Sequence, residues 1–346
     1  MAFQKTRKVL VSGPIFDTPA GPSGQGGKLY TQLINEGYEV YKRSKIRNKI
    51  LRVIDTLSFV VLKPHKYQIV LIQMFSNMAF VVDFLVIRIA KILRKPTVPI
   101  IRGGAFVEFY NKYPNWVGNT LKKASAVASP SLFIGEFLKS KGINCIHIPN
   151  FIETQNFPYK WEANTGKKLL WVRAFTHIYK PEMAIRLIDR LKDKYPEIKL
   201  SMVGPDQGLQ AKSEALIKSL NLEAYIDIIG PVPNNQLTDW YATHNVYINT
   251  TSYESFGVAL VEAACSGIPV VTTDVGEIPY MWQNNEEMMV VKDNDEDAFY
   301  NAVVSLLDNL ELQKYLSKNA NKKAITYSWS NIKQQWFDII ENTKTN

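Results

Sequence analysis

The chain has 346 residues, 46% of them hydrophobic and 21% charged, and 41 Lys and Arg against 32 Asp and Glu leave a formal net charge of +9. That length and apolar share suit two ordinary domains and exclude a disordered chain, while the basic balance points to nucleic acid, an anionic membrane surface or a phosphorylated substrate. Cys145 and Cys265 stand far apart, and His65, His147, His177 and His244 are scattered, which excludes a disulfide framework and zinc-ligand spacing.

The opening MAFQKTRKVLVSGPIF passes from a short basic start into a strand over 9–12, without a signal-peptide pattern. Further strands are predicted over 39–41, 69–74, 97–101, 125–128 and 145–148, with helices over 27–36, 46–62, 79–93, 116–123 and 132–140. Near-continuous apolar strands alternating with helices predict a parallel sheet covered on both faces. The most apolar stretch, 67–93, is interrupted by Asp83, Arg88 and Lys91 and is too polar to span a bilayer. A cytoplasmic protein, not integral to a membrane, is the expectation.

Two features of this half carry charge logic. Gly24, Gly26 and Gly27 precede the first helix, where a phosphate can sit on bare amides. Their spacing does not fit the tight G-x-G-x-x-G dinucleotide turn. From Lys42 to Lys66 there are eight Lys and Arg and one Asp. On a helical wheel Ile46, Ile50, Val53, Ile54, Leu57 and Val61 form one stripe, flanked by Lys42, Lys45, Lys49 and Arg52 on one side and Arg43 and Arg47 on the other. A basic amphipathic helix over 42–62 suits an anionic membrane surface. A core-facing helix with a solvated basic rim is the alternative, and no nucleic-acid module accompanies the patch.

The segment 149–168, rich in Asn, Pro and polar residues, breaks the rhythm. The alternation then restarts, with strands over 169–172, 199–203, 226–229, 246–249, 270–272 and 288–291. Helices follow over 181–194, 210–220, 236–244, 258–265, 296–309 and 312–326, and a last one over 331–342 carries Trp336, Phe337 and Ile340. The fold class is therefore α/β, two doubly wound Rossmann-like domains facing a central cleft, with ligands expected outside the carboxyl ends of the strands.

Within the second half, YESFGVALVEAACSGIPVV sets Glu254 and Glu262 eight residues apart around Phe256 and Gly257. A helix starting near Gly257 leaves the amides of Gly257, Val258 and Ala259 without intrahelical acceptors, an anion site backed by the helix dipole. One carboxylate before that site and one beyond it match a ligand laid out as polyol, anion and diol, as in a sugar–diphosphate–ribose.

The stretch YESFGVALVEAACSGIPVVTTDVGEIPY resembles, over some thirty residues, the E-x7-E region of retaining glycosyltransferases of the GT-B fold, family GT4. The resemblance implies that Glu254 contacts the transferred hexose and Glu262 the ribose hydroxyls, with Ser255, Phe256, Gly257, Val258 and Ala259 on the donor. LLWVRAFTHIYKPEMAIRLI resembles the family's diphosphate-gripping segment, which assigns that role to Arg173 and Lys180; the chemistry agrees, because the leaving group's charge needs fixed cations. The family also implies a base pocket near Gly204 and Val232, and a Gly-rich loop at Gly26 and Gly27 that meets the donor diphosphate. PIIRGGAFVEFYNK resembles an acceptor loop in which a His often stands. Here Arg102 and Glu108 are the acceptor-side candidates, and no His adjoins the glycines. The D-x-D within Asp293–Asp297 opens a predicted helix and reads as capping, so no metal or other cofactor is expected.

The resemblance predicts an acceptor domain at 1–160, a donor domain at 161–326 and a helix at 327–346 that crosses back to the first. It implies a retaining transfer of a hexose from a UDP- or GDP-sugar to a hydroxyl of a lipid-linked or membrane-presented glycan, in bacterial surface-polysaccharide biosynthesis, at the inner face of the cell membrane. A sugar-nucleotide epimerase or hydrolase on the same fold, or a silent membrane-associated binding protein, are the alternatives.

Overall fold

The computed structural model describes residues 7–18, 21–22, 24–43, 46, 48–76, 78–103, 105–163 and 165–345, with the backbone alone at 17, 18, 21, 22 and 49. The chain divides into two units, Met1–Phe151 with Trp329–Asn346, and Ile152–Ser328.

The first unit runs β1 (Val9–Ser12), a small hairpin of β2 (Asp17–Thr18) and β3 (Gly21–Pro22), α1 (Gly24–Asn35), β4 (Val40–Arg43), α2 (Lys49–Leu62), β5 (Ile69–Met74), α3 (Ala79–Ile92), β6 (Thr97–Ile101), α4 (Phe106–Lys112), α5 (Pro114–Leu121), β7 (Ala128–Ser129), α6 (Leu132–Ser140) and β8 (Ile146–His147). Among the described residues its sheet has the order β4-β1-β5-β6-β7-β8, and every neighbouring pair is parallel. Leu10, Val70, Ile72, Met74, Val86 and Ile134 pack one core on it. The chain leaves β1 toward β4 and returns past it to β5, so this sheet's switch point lies between β1 and β5.

The second unit runs β9 (Lys168–Val172), α7 (Pro181–Leu191), β10 (Lys199–Val203), α8 (Gln210–Ser219), β11 (Ile226–Gly230), α9 (Leu237–Thr243), β12 (Val246–Asn249), α10 (Val258–Ser266), β13 (Val270–Asp274), α11 (Ile278–Met281), β14 (Met289–Lys292), α12 (Glu296–Asp308) and α13 (Leu310–Ala324). Its order is β11-β10-β9-β12-β13-β14, again all parallel. Side chains alternate across the pleat: Leu169 and Trp171 enter the core on one face, Leu170 the core on the other. Burial on both faces accounts for the near-unbroken apolar strands. The switch point is between β9 and β12.

The last helix, α14 (Trp329–Asn342), belongs to the first unit. Trp336 is buried, the Trp329 ring lies 4.7 Å from that of Phe151, and its Nε1 donates to Glu36 at 3.0 Å. Arg7 donates to the Ile340 and Thr343 carbonyls at 2.9 and 2.7 Å, which pins the helix end.

The α2 helix keeps part of the predicted stripe on its outer face. Of that stripe Ile50, Ile54 and Val61, joined by Leu51 and Leu62, face outward and are exposed and Val53 and Leu57 are half-buried, while the buried face is made by Thr56, Phe59 and Val60. A helix lying on a sheet buries one stripe only, and the Phe59 ring, stacked at 6.2 Å on the buried Tyr67, selects which. The Arg43 guanidinium lies 4.0 Å over Phe59 and 3.6 Å from Asp55. Lys45, Arg47, the Lys49 side chain and Gly104 lie outside the described residues. Among the described residues, no helix is long and apolar enough to cross a membrane.

Candidate active site

The site of the second unit is built where open α/β sheets bind ligands, at the strand carboxyl ends beside the switch point. Arg173 is the first residue after β9. Asn249 ends β12, and Glu254 follows in the loop before α10. Arg173 Nε donates to Asn249 Oδ1 at 2.9 Å, and Nη2 stands 2.8 Å from Glu254 Oε2. These contacts close the gap between the strands that flank the reversal of chain order. Both side chains are enclosed, 8% and 10% exposed. The Tyr179 ring covers the guanidinium at 5.0 Å. Burial works against the Arg173 charge, but the Glu254 carboxylate outweighs it and raises the guanidinium above its ordinary value.

The backbone holds Arg173 in place from the next strand. Its amide donates to the Val203 carbonyl at 2.9 Å, and Gly204 follows with φ +152°. A Cβ at Gly204 would come within 1.8 Å of the Arg173 carbonyl oxygen. Glycine is required there by close approach, so the residue expected in a base pocket also acts structurally. Val232 lies beyond Gly230, partly buried against the core.

Glu254 is fixed at both ends. Its Oε1 accepts from the Ser255 and Phe256 amides at 3.1 and 3.5 Å, and its carbonyl accepts from Glu277 N at 2.9 Å. Oε2, although 2.8 Å from the guanidinium, has no aligned hydrogen-bond donor and keeps capacity for one. The Phe256 ring is buried, 5.5 Å from Tyr327, so its backbone is what remains for a ligand. Gly257, at φ 82°, is the left-handed cap that turns the loop into α10. Leu260 and Val261 both donate back to its carbonyl, at 3.0 and 3.1 Å. Among the described residues the amides of Val258 and Ala259 have no protein acceptor, and no acidic residue occupies the helix's first turn. Glu262 sits one turn on, 3% exposed, with Asn234 Nδ2 donating to its Oε1 at 3.0 Å. The structure thus keeps the sequence order of carboxylate, bare helix terminus, carboxylate.

Lys180 is placed differently from Arg173. It stands at φ 44°, the left-handed region, as the residue before α7. Its Nζ reaches Asp293 Oδ1 at 2.6 Å and Asn294 Oδ1 at 2.7 Å. The Tyr179 and Lys180 carbonyls are held by Thr250 Oγ1, at 2.7 and 3.1 Å. A lysine in this conformation costs about 1–2 kcal/mol, strain of the kind that clusters at functional sites. Asp295 caps α12, accepting from Ala298 N at 2.9 Å. The D-x-D residues are thus engaged as an ion-pair partner and a cap. Among the described residues, no cluster of three or more His, Cys, Asp or Glu could hold a metal.

The remaining predicted residues fall in the first unit. Gly26 and Gly27 lie in the buried first turn of α1, Arg102 just beyond β6, and Glu108 in the first turn of α4. Sequence reading missed Asn249, Tyr179, Asn234 and Glu277. An Asn closing an apolar strand at the switch point was the one available signal; the others are recognisable only through contacts.

Residues 153–323 match the family model described as Glycosyl transferases group 1. Over 167 residues, 46% of this chain and 36% of the relative, the chain is 26% identical to the D-inositol 3-phosphate glycosyltransferase of Streptomyces coelicolor. It is 24% identical to the D-inositol 3-phosphate glycosyltransferase of Corynebacterium urealyticum over 187 residues, 52% of this chain and 44% of the relative. The aligned part therefore spans less than half of these relatives. Among solved structures, the sucrose-phosphate synthase of Thermosynechococcus elongatus superposes with a TM-score of 0.80 at 17% identity, covering 97% of this chain and 99% of its own. HepE of Anabaena, solved in complex with UDP and glucose, gives 0.79 at 16% identity over 97% and 100%. The chain has the GT-B fold, and its residues 153–323, just under half of it, match the glycosyl transferases group 1 family model.

Proposed function

We propose that the chain is a retaining glycosyltransferase that moves a hexose from a UDP- or GDP-sugar to a hydroxyl of a lipid-linked or membrane-presented glycan, in the assembly of a bacterial surface polysaccharide. The observation that carries the reading is the arrangement at the second unit's switch point: Glu254 ion-paired to Arg173, followed by the bare amides of α10 and then Glu262. The Anabaena neighbour, solved with UDP and glucose, supports a nucleotide-sugar donor.

In this reading the diphosphate lies on the Val258 and Ala259 amides with Arg173 beside it. The charge that develops on the leaving phosphate is met by fixed dipoles and a fixed cation, as a transition state of that kind requires. Glu254 Oε2 accepts a hydroxyl of the hexose, and Glu262 the ribose diol. The acceptor hydroxyl attacks the anomeric carbon on the face the nucleotide leaves and gives its proton to the departing phosphate oxygen, so no protein base is needed. No metal is assigned a role.

The membrane side of the proposal rests on α2. Ile50, Ile54 and Leu62 are 72%, 57% and 69% exposed on a helix whose surroundings carry Lys42, Arg43, Arg52 and Lys63. Apolar insertion beside cations fits an anionic bilayer, and with it a cytoplasmic protein held at the inner face of the membrane.

The test incubates the chain with UDP- and GDP-sugars, with and without membrane lipid extract, and measures nucleotide release. Acceptor-dependent release is expected, with a loss of roughly 10²-fold or more on Arg173→Ala. Release independent of acceptor would point to hydrolysis, and no release under any condition would refute the reading.

A further inference from the structure

We propose that the amino edge of the second unit's sheet carries a second small-molecule site, apart from the candidate active site, and that it takes a neutral sugar residue of a glycan. The proposal stands on the second unit alone and goes beyond the transferase reading.

A cavity of about 490 Å³ opens at that edge. It is lined by the linker residues 159–163, the end of α9 with its turn into β12, the turn from α10 into β13, and Gln313 of α13. Its volume falls within the roughly 300–1,000 Å³ of small-ligand pockets. Arg173, Asn249 and Glu254 stand at the opposite, carboxyl edge, with the length of β12, four residues at about 3.3 Å each, in between.

The wall is held in place by the chain itself. Gly267, at φ 89°, lets the linker lie directly on the α10–β13 turn: a Cβ there would come within 2.9 Å of the Tyr159 ring and 3.1 Å of the Trp161 amide nitrogen. Lys160 N donates to the Ser266 carbonyl at 3.0 Å. Ser317 Oγ donates to the Gly267 carbonyl at 2.5 Å and is 3.1 Å from the Tyr159 hydroxyl. Tyr159 is thus fixed by its hydroxyl while 44% of the residue stays exposed.

Two residues of the wall carry a buried polar atom without a protein partner, Trp161 Nε1 and Ser266 Oγ. Buried groups of this kind ordinarily find one. The indole can donate, and the hydroxyl can donate or accept. The formal charges balance: Lys160 and Glu162 offset each other, and the His244 nitrogens already bond to the Trp240 carbonyl and Ser201 Oγ. An anion therefore finds no excess of cations here. A wholly apolar ligand would leave the indole and the hydroxyl unmatched. A pyranose uses the whole set, because its C–H face lies on an aromatic ring while its hydroxyls reach the polar atoms around it.

The test titrates the full chain with methyl glucoside, methyl galactoside, methyl mannoside and N-acetylglucosamine by calorimetry, with UDP held at saturation to fill the candidate active site. UDP is titrated separately. Binding of at least one sugar is expected, weakened roughly tenfold in Trp161→Ala and in Tyr159→Ala, with UDP affinity unchanged. Thermal melting checks the fold, and Trp161→Phe, which keeps a ring and loses the N–H, carries the same test should Trp161→Ala fail to fold. Absence of binding by all four sugars, or binding indifferent to Trp161 and Tyr159, overturns the proposal. Adenosine and uridine are titrated alongside: nucleoside binding that depends on Trp161, without sugar binding, gives the cavity to a flat base and also overturns it. Because sugar binding needs no transfer, a chain that binds sugar through Trp161 yet releases no nucleotide would sink the transferase reading and leave this site standing.

Discussion

Replacing Glu254 by Gln keeps the shape of the side chain and an oxygen for the Ser255 and Phe256 amides, but removes the charge that faces Arg173. The guanidinium, 8% exposed, then retains only Asn249 Oδ1 and the Tyr179 ring. Breaking one side of a buried pair costs about 3–5 kcal/mol. A unit of this size loses about 2–4 °C of melting temperature per kcal/mol, so a fall of roughly 6–20 °C is expected. Arg173→Met should cost a similar amount, since it strands the carboxylate. The double variant should lose less than the sum, by at least about 1 kcal/mol. In the proposed donor site UDP brings negative charge to the same guanidinium, so it should raise the melting temperature of Glu254→Gln by more than that of the wild type, where it would compete with Glu254. Scanning calorimetry of the four proteins, with and without UDP, reads all of this. Additive losses within about 0.5 kcal/mol, or equal UDP shifts in wild type and Glu254→Gln, would refute the reasoning.

Gly204→Ala should prevent the second unit from folding stably, because its Cβ has 1.8 Å to the Arg173 carbonyl oxygen; circular dichroism and solubility check it. Asp293→Ala releases the Lys180 ammonium, and if that lysine grips the diphosphate, UDP affinity rises, up to about tenfold, whereas unchanged affinity removes Lys180 from the donor site. Ile50→Ser with Ile54→Ser should weaken sedimentation with anionic vesicles and leave the melting temperature unchanged, since both side chains already face outward. The fourth expectation concerns acid. His244 is bonded at Nδ1 to the Trp240 carbonyl, 2.7 Å, and at Nε2 to Ser201 Oγ, 3.0 Å, and burial lowers it from its ordinary 6.5. Below 6.5 the unfolded chain takes up a proton that the folded chain refuses, so the stability present above 6.5 is lost as pH falls toward the folded value; His244→Gln should flatten that part of a melting-versus-pH curve.

The strands are legible where they are short, apolar and bounded. The predicted runs 9–12, 69–74, 97–101, 199–203 and 246–249 coincide with β1, β5, β6, β10 and β12, because burial on both faces leaves a continuous apolar signature. The α4 helix, FVEFYNK, is not: it has no capping side chain and its aromatic residues suit strand or helix equally. The outward residues Ile50, Ile54 and Val61 of α2 are on the stripe the wheel gives, but the buried face at Phe59 and Val60 is not, because a wheel records spacing and cannot say which of two apolar faces a sheet will cover. At the site, residue types are readable and partners are not. Arg173 meets Asn249 from 76 positions away and Lys180 meets Asp293 from 113, separations that no local pattern encodes.

Those long-range partners change what the proposed donor site must do. A reading by residue type alone gives two free cations waiting for a diphosphate. Folding instead supplies each with a carboxylate, Glu254 at 2.8 Å and Asp293 at 2.6 Å. An incoming diphosphate then gains from these cations only what exceeds their existing pairing, and much of its binding must fall to groups with no prior partner. Among the described residues of the second unit, the Val258 and Ala259 amides are such groups, with dipoles fixed before any ligand arrives. In the proposed reading, the carboxylate that holds Arg173 is also the one that receives a hexose hydroxyl. Sugar and phosphate recognition would then meet in one ion pair. On that proposal, a nucleotide that lacks the sugar would perturb the pair from the phosphate side only, and a nucleotide sugar would engage both of its partners at once.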